Sequence, residues 1–231
     1  MTSATSWRLA LAGALLALPV SLCAQANQVS GGVTGTADPR VGLKAGFDDA
    51  GEAIENLRML AHQPPPASFF DPATAGKNEL VNADIAFSGN YIFLGNYYGL
   101  QVWDMSNPKA PSLRTSMVCP GGQNDPSVYQ NLLFLSVEQT SARVDCGRQG
   151  VQDSVSTERF RGVRIFDISD LDHPKQVAAV QTCRGSHTHT LVTDPNDAEN
   201  VYVYVSETSV VRSGSELAGC SGKNPGDDPN T

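Results

Sequence analysis

From Leu80 onward the apolar residues fall into short runs separated by Gly, Asn, Asp, Ser and Pro. Short apolar runs bounded by turn-forming residues predict β-strands. Three strand starts can be superposed: Asn90-Tyr-Ile-Phe-Leu, Asn131-Leu-Leu-Phe-Leu and Asn200-Val-Tyr-Val-Tyr. The first two lie forty-one residues apart, the length of one four-stranded propeller blade. A second line is also written twice, as GLQVWDMSNPKAPSL from Gly99 and GVRIFDISDLDHPKQV from Gly162. These copies are sixty-three residues apart because twenty-two extra residues, roughly 140–161, precede the second. The first unit therefore predicts strands over 81–88, 91–96, 100–105 and 112–118, and the second over 126–130, 132–138, 162–168 and 176–182. A third unit supplies 187–193 and 201–211. The expected fold class is all-β, an incomplete β-propeller of four-stranded antiparallel blades over about 80–119, 120–183 and 184–231.

The pattern before residue 80 is different. Arg8 is followed by LALAGALLALPVSL, and Ala24-Gln25-Ala26 supplies a small-x-small site. That arrangement predicts a secretory signal peptide over 1–26, cleaved near Ala24 or Ala26, and so a periplasmic or secreted protein. Residues 27–79 read as a leader. Within it, Asp49 and Glu52 have capping-box spacing, and Phe47, Ala50, Ile54, Leu57 and Ala61 recur at helical intervals. They predict a short amphipathic helix over about 48–61. Pro64-Pro65-Pro66 ends it in a stiff spacer.

LQVWDMSNPKAP and VRIFDISDLDHP resemble the LVIVD repeat of bacterial exported β-propeller proteins. Leu100-Gln101-Val102-Trp103-Asp104 and Val163-Arg164-Ile165-Phe166-Asp167 match the strand motif that names that repeat. The resemblance covers roughly 80–211 and implies architecture without a catalytic set. A propeller closes with typically four to eight blades, so the chain reads as an N-terminal fragment of about two and a half. Trp103 and Phe166 share one slot and are expected to pack between blades. Asp104 and Asp167 are expected to accept N–H bonds within their own turns.

Charge narrows the partners. The formal net charge is −8, and cleavage after Ala26 removes Arg8 and no carboxylate. An acidic chain without a basic patch argues against nucleic acid and anionic membrane surfaces. No segment after the signal peptide is apolar enough to span a membrane. No GxSxG elbow, phosphate loop, HExxH or EF-hand loop occurs.

The candidate chemistry is Ser186-His187-Thr188-His189-Thr190. Residues two apart on a strand face one side, and the first strand of each blade lines a propeller's channel. Superposing the units sets Asn82 and Gln123 level with His187, and Asp84 and Asp125 level with His189. Imidazole and carboxylate both ligate metals, so His187, His189, Asp84 and Asp125 form a candidate divalent-metal set. The structural alternative is hydrogen bonding to channel water and backbone. No cofactor is otherwise indicated, and His62 and His173 receive no role. The expected function is a binding or scaffolding module for a protein, peptide or carbohydrate ligand. The alternative is a metal-dependent periplasmic hydrolase using the channel histidines.

Four cysteines remain after export, in an oxidising compartment where disulfides form. They allow three connectivities, and the repeat selects one. Cys119 and Cys183 each follow a unit's last strand, whereas Cys146 and Cys220 each fall in an insertion after a unit's second strand. In a four-stranded antiparallel blade both connections lie on one face, so the expected pairs are Cys119–Cys146 and Cys183–Cys220.

Overall fold

A computed structural model describes residues 38–46, 49–70, 81–223, 226 and 228. The signal-peptide reading over 1–26 lies outside the described residues. The chain divides into two units, Met1–Ala53 and Ile54–Thr231. In the first, Arg40 grips Asp38 through Nε and Nη2 (2.9 and 2.6 Å), and Lys44 pairs with Asp49.

The helix expected over about 48–61 does not form: residues 49–61 contain bends and no helical turn. Gly51 weakens a helix interior by about 1 kcal/mol, and the Asp49 carboxylate binds Lys44 instead of a first-turn N–H. Ala50, Ile54 and Leu57 all remain exposed, the last two by 46% and 84%, so the middle of the apolar stripe is not buried. A helix of this length without a packing partner is marginal in water. Among the described residues no helix is long and apolar enough to cross a membrane.

The described residues of the second unit carry one 3-10 turn, Ala67–Phe69, and after it only β-strands as regular elements. Strands β1 (Asn82–Ser88), β2 (Tyr91–Asn96), β3 (Gly99–Asp104) and β4 (Ser112–Val118) form one antiparallel sheet in chain order. Strands β5 (Pro126–Tyr129), β6 (Leu132–Val137), β7 (Gly162–Asp167) and β8 (Lys175–Gln181) form the second. Strands β9 (Thr188–Asp194) and β10 (Asp197–Ser206) pair as a third.

The two full sheets repeat in detail. Both carry a register shift in one slot, between Val102 and Trp103 in β3 and between Ile165 and Phe166 in β7. Asp104 Oδ1 accepts the Ser106 N–H at 2.8 Å, and Asp167 Oδ1 accepts the Ser169 N–H at 2.8 Å. Both aspartates are thus turn residues, and their carboxyls lie below the usual range because Ser106 and Ser169 donate to them. Gly99 and Gly162 start the equivalent strands with φ +154° and +141°, where a Cβ would collide with the carbonyl oxygens of Met117 and Val180. Only glycine fits both the backbone and the close approach.

Directly paired residues of an antiparallel sheet share a face, which shows how the sheets stack. Phe93 and Val102 pair on one face of the first sheet, and Leu133 and Phe166 on one face of the second. All four join a single buried cluster with Leu100, Leu135 and Ile168. By repeat position these are opposite faces, because Phe134, not Leu133, is the counterpart of Phe93. Each sheet therefore lays the same one of its faces on the other face of the next. The Phe134 side of the second sheet continues this toward β9, with Phe134 and His189 rings 6.4 Å apart. The first strands also touch in succession, β1 on β5 and β5 on β9.

The shared packing role expected for Trp103 and Phe166 holds only for Phe166, which is buried. Trp103 is half-buried and donates Nε1–H to Gln101 Oε1 at 3.0 Å. Its face of the first sheet is the one that no described sheet covers.

Candidate functional site

Candidate residues gather where the first strands meet and where the two long loops leave the sheets. Asn124 sets up the first place. Its φ is +52°, it is fully buried, and its Nδ2 donates to Asn96 O (2.8 Å) and Cys119 O (3.2 Å). This clamp fixes Gln123 and Asp125 on either side. Gln123 Nε2 meets His187 Nε2 at 2.9 Å, and Asp125 Oδ2 accepts the His189 N–H at 2.9 Å. Two of the neighbours expected from superposing the units thus meet in space, Gln123 with His187 and Asp125 with His189.

The two histidines go to different partners. His187 is partly exposed and bonds through Nδ1 to Glu138 Oε1 at 2.7 Å. His189 has a fully buried side chain, with Nδ1 2.7 Å from Ser136 Oγ and 3.5 Å from Asp125 Oδ2. Its Nε2 is buried and unpartnered. Asn82 Oδ1 accepts from Asn96 Nδ2 (3.1 Å) and Gln101 Nε2 (2.8 Å). Asp84 acts on Asp125 through its charge. Among the described residues, no group of three or more His, Cys, Asp or Glu side chains is gathered so as to hold a metal ion.

Burial favours the neutral form of each member of the inner pair. It pushes the Asp125 carboxyl up to about 6, with the Asp84 charge adding to it and the His189 N–H opposing. It pulls the His189 imidazole down to about 4. An acid whose pKa is raised on folding loses stability as pH climbs from its unfolded value to its folded one. For Asp125 that window runs from about 4 to about 6, and two pKa units correspond to roughly 3 kcal/mol. His189 acts oppositely, losing stability as pH falls from its unfolded value near 6.5 to about 4. Asp125→Asn keeps an acceptor for the His189 N–H and removes the buried charge. The variant should therefore melt higher than wild type at pH 8, with the gap shrinking toward pH 5. A gap that does not vary with pH would contradict the assignment.

The second place is the loop face. Residues 138–161 separate β6 from β7, and Cys146 within them lies at disulfide distance from Cys119 (Cα–Cα 4.3 Å). Cys183, after β8, stands likewise beside Cys220 in the segment after β10 (Cα–Cα 5.4 Å). Both expected pairs are brought together, which fits an oxidising compartment. The first loop is ordered by arginines. Arg143 pairs with Asp145 (2.8 Å) and Glu158 (2.6 Å), and fully buried Arg164 stacks on Phe160 at 4.3 Å. The Arg164 guanidinium also donates to the Arg143 and Val144 carbonyls.

Between the loops lies an open pocket of about 610 Å³ lined by Tyr97, Tyr98, Glu138, Gln139, Thr140 and Thr208, among others. The Glu138 carboxylate is held from both sides, by His187 on Oε1 and by Thr208 Oγ1 on Oε2 at 2.6 Å. The sequence gives no role to Glu138 or Ser136, whose partners lie dozens of residues away, nor to Tyr97 and Tyr98. The one available signal is that Glu138 stands two residues before the twenty-two-residue insertion.

The family model of the LVIVD repeat matches residues 82–118, the span of the first sheet. No curated protein and no solved structure matches the chain.

Proposed function

We propose that the chain is an exported propeller-type repeat module that binds a polar ligand, a carbohydrate by preference, on its loop face. The observation that carries this is the pocket between the two disulfide-tethered loops. Tyrosines beside fixed hydrogen-bonding groups suit a ligand with both a ring face and hydroxyls, because tyrosine supplies an apolar body and a polar tip. Glu138 is engaged by two donors, which makes it an orienting acceptor and not a free base. Loops raised on a rigid repeat scaffold commonly form its binding surface. The propeller reading rests on the LVIVD match, on sheets that stack in one sense, and on first strands that touch in succession.

The test is a saccharide array followed by calorimetry on the unreduced chain. Saturable, non-turnover binding that weakens about tenfold or more in Tyr98→Ala is expected, since tyrosines at an interface are frequent binding hot spots. Glu138→Gln should weaken it less, because an amide oxygen still accepts. Cleavage of the bound saccharide, capture of peptides in its place, or full binding by Tyr98→Ala would each overturn the reading.

A further inference from the structure

A second cavity, of about 400 Å³, opens on the other side of Thr140 between the loop 138–161 and the segment after β10. Its charged lining is Asp153, Arg159, Arg161, Arg212 and Glu216. Glu216 is saturated: Oε1 accepts from Arg212 Nε at 2.6 Å, and Oε2 accepts from Arg159 and from the Ser156 N–H at 2.9 Å. Arg161 is left over. It is 3% exposed, and only Nη1 is engaged, by Val210 O (2.6 Å) and Ser209 Oγ (3.2 Å). Nε is buried without a partner, and Nη2 makes no hydrogen bond among the described residues.

Those two N–H groups form one edge of the guanidinium, the edge that takes a carboxylate through two parallel bonds. A buried guanidinium without an anion is costly. Burial, with Arg212 and Arg159 nearby, draws the Arg161 pKa down to about 10 against the opposing charges of Glu216 and Glu207. The lining limits the charge of what belongs there. Among the lining residues three guanidinium groups meet two carboxylates, and with Glu207 acting on Arg161 from outside the lining the small positive excess suits a monoanion better than a dianion. The lining also fixes the body. Val151, Val210 and Val211 supply an apolar wall, and the volume lies within the usual range for small-ligand pockets.

We infer that this cavity is a binding site for a small organic monocarboxylate, its carboxylate on the free edge of Arg161 and its apolar body against the valines. The site is separate from the pocket at Tyr97 and Tyr98, and it does not depend on what that pocket binds.

The probes are butyrate and benzoate, with acetate, inorganic phosphate and sulfate for comparison, titrated into the unreduced full chain and followed by melting temperature and calorimetry. Butyrate or benzoate should raise the melting temperature in a saturable way and bind more tightly than acetate. Phosphate and sulfate should bind more weakly than either. In Arg161→Gln the affinity should fall by about tenfold or more, the usual scale for losing a charge-assisted pair of bonds. Arg161→Lys keeps the charge and a donor for Val210 but loses the two-donor edge, so a folded Arg161→Lys protein with weakened carboxylate binding separates recognition from folding. Tyr98→Ala should bind benzoate as wild type does, whatever it does to saccharides. No saturable shift with any carboxylate, equal response in Arg161→Gln, or preference for phosphate would overturn the inference.

Discussion

Glu216→Ala should destabilise the fold by about 3–5 kcal/mol, the scale for stripping one partner from a buried ion network. Glu216 and Arg212 have side chains 1% exposed, and that of Arg159 is 9% exposed. Without the carboxylate, two desolvated guanidinium groups face each other with no anion between them, and the Ser156 N–H loses its acceptor. Glu216→Gln should cost less, since its amide oxygen still accepts from one of those donors. Burial by itself would raise the Glu216 carboxyl, but Ser156, Arg212 and Arg159 outweigh it and hold it below the usual value. A carboxylate with a depressed folded pKa contributes stability above its unfolded value, about 4.3. That contribution is lost as pH falls through the folded value. The gap between wild type and Glu216→Gln in urea melts should therefore be full at pH 7 and narrow in acid. An Ala variant as stable as wild type would show that the network is not part of the folded core.

The contrast between what was legible and what was not follows the range of the interactions. Strands β2, β3, β6 and β7 are legible because local rules fix them: short apolar runs bounded by turn residues, an Asp-x-Ser turn after each third strand, and glycines at 99 and 162 where a Cβ cannot fit. Superposing the units carried this one step further, to Gln123 beside His187 and Asp125 beside His189. The helix over 48–61 does not form although its period is real, because Ala50, Ile54 and Leu57 stay exposed with no surface to bury against. Trp103 was misread for a related reason. A repeat slot specifies which face a residue is on, and burial depends on whether another sheet covers that face. Glu216 and Arg159 lie 57 positions apart, and nothing local in either segment marks them as partners. The only hint was the alternation Arg159-Phe160-Arg161, two cations flanking a core aromatic in an acidic chain.

Replacing both Cys183 and Cys220 by serine should cost about 4 kcal/mol, and replacing Cys119 and Cys146 slightly less. In the chain-entropy account the cost grows with the closed loop, and these pairs close 37 and 27 residues. The two losses should nevertheless differ in kind. Residues 138–161 keep other anchors, including the Arg143 ion pairs and the Arg164 bonds to the Arg143 and Val144 carbonyls. The segment after β10 is held near Cys220 chiefly through Arg212 and Glu216, with the Arg212 N–H on Cys183 O at 2.8 Å. Reduction of the Cys183–Cys220 pair should therefore loosen the same segment that the Glu216 network fixes. Mutations that share a segment couple, whereas distant ones add to within about 0.5 kcal/mol. A double-mutant cycle in urea should show Glu216→Ala costing distinctly less once Cys183 and Cys220 are serine. The same substitution should cost its full amount when Cys119 and Cys146 are the pair removed. Additivity in both cycles would mean that the ion network holds its segment without help from the disulfide. A Cys119–Cys183 peptide in a non-reducing digest would overturn the pairing itself.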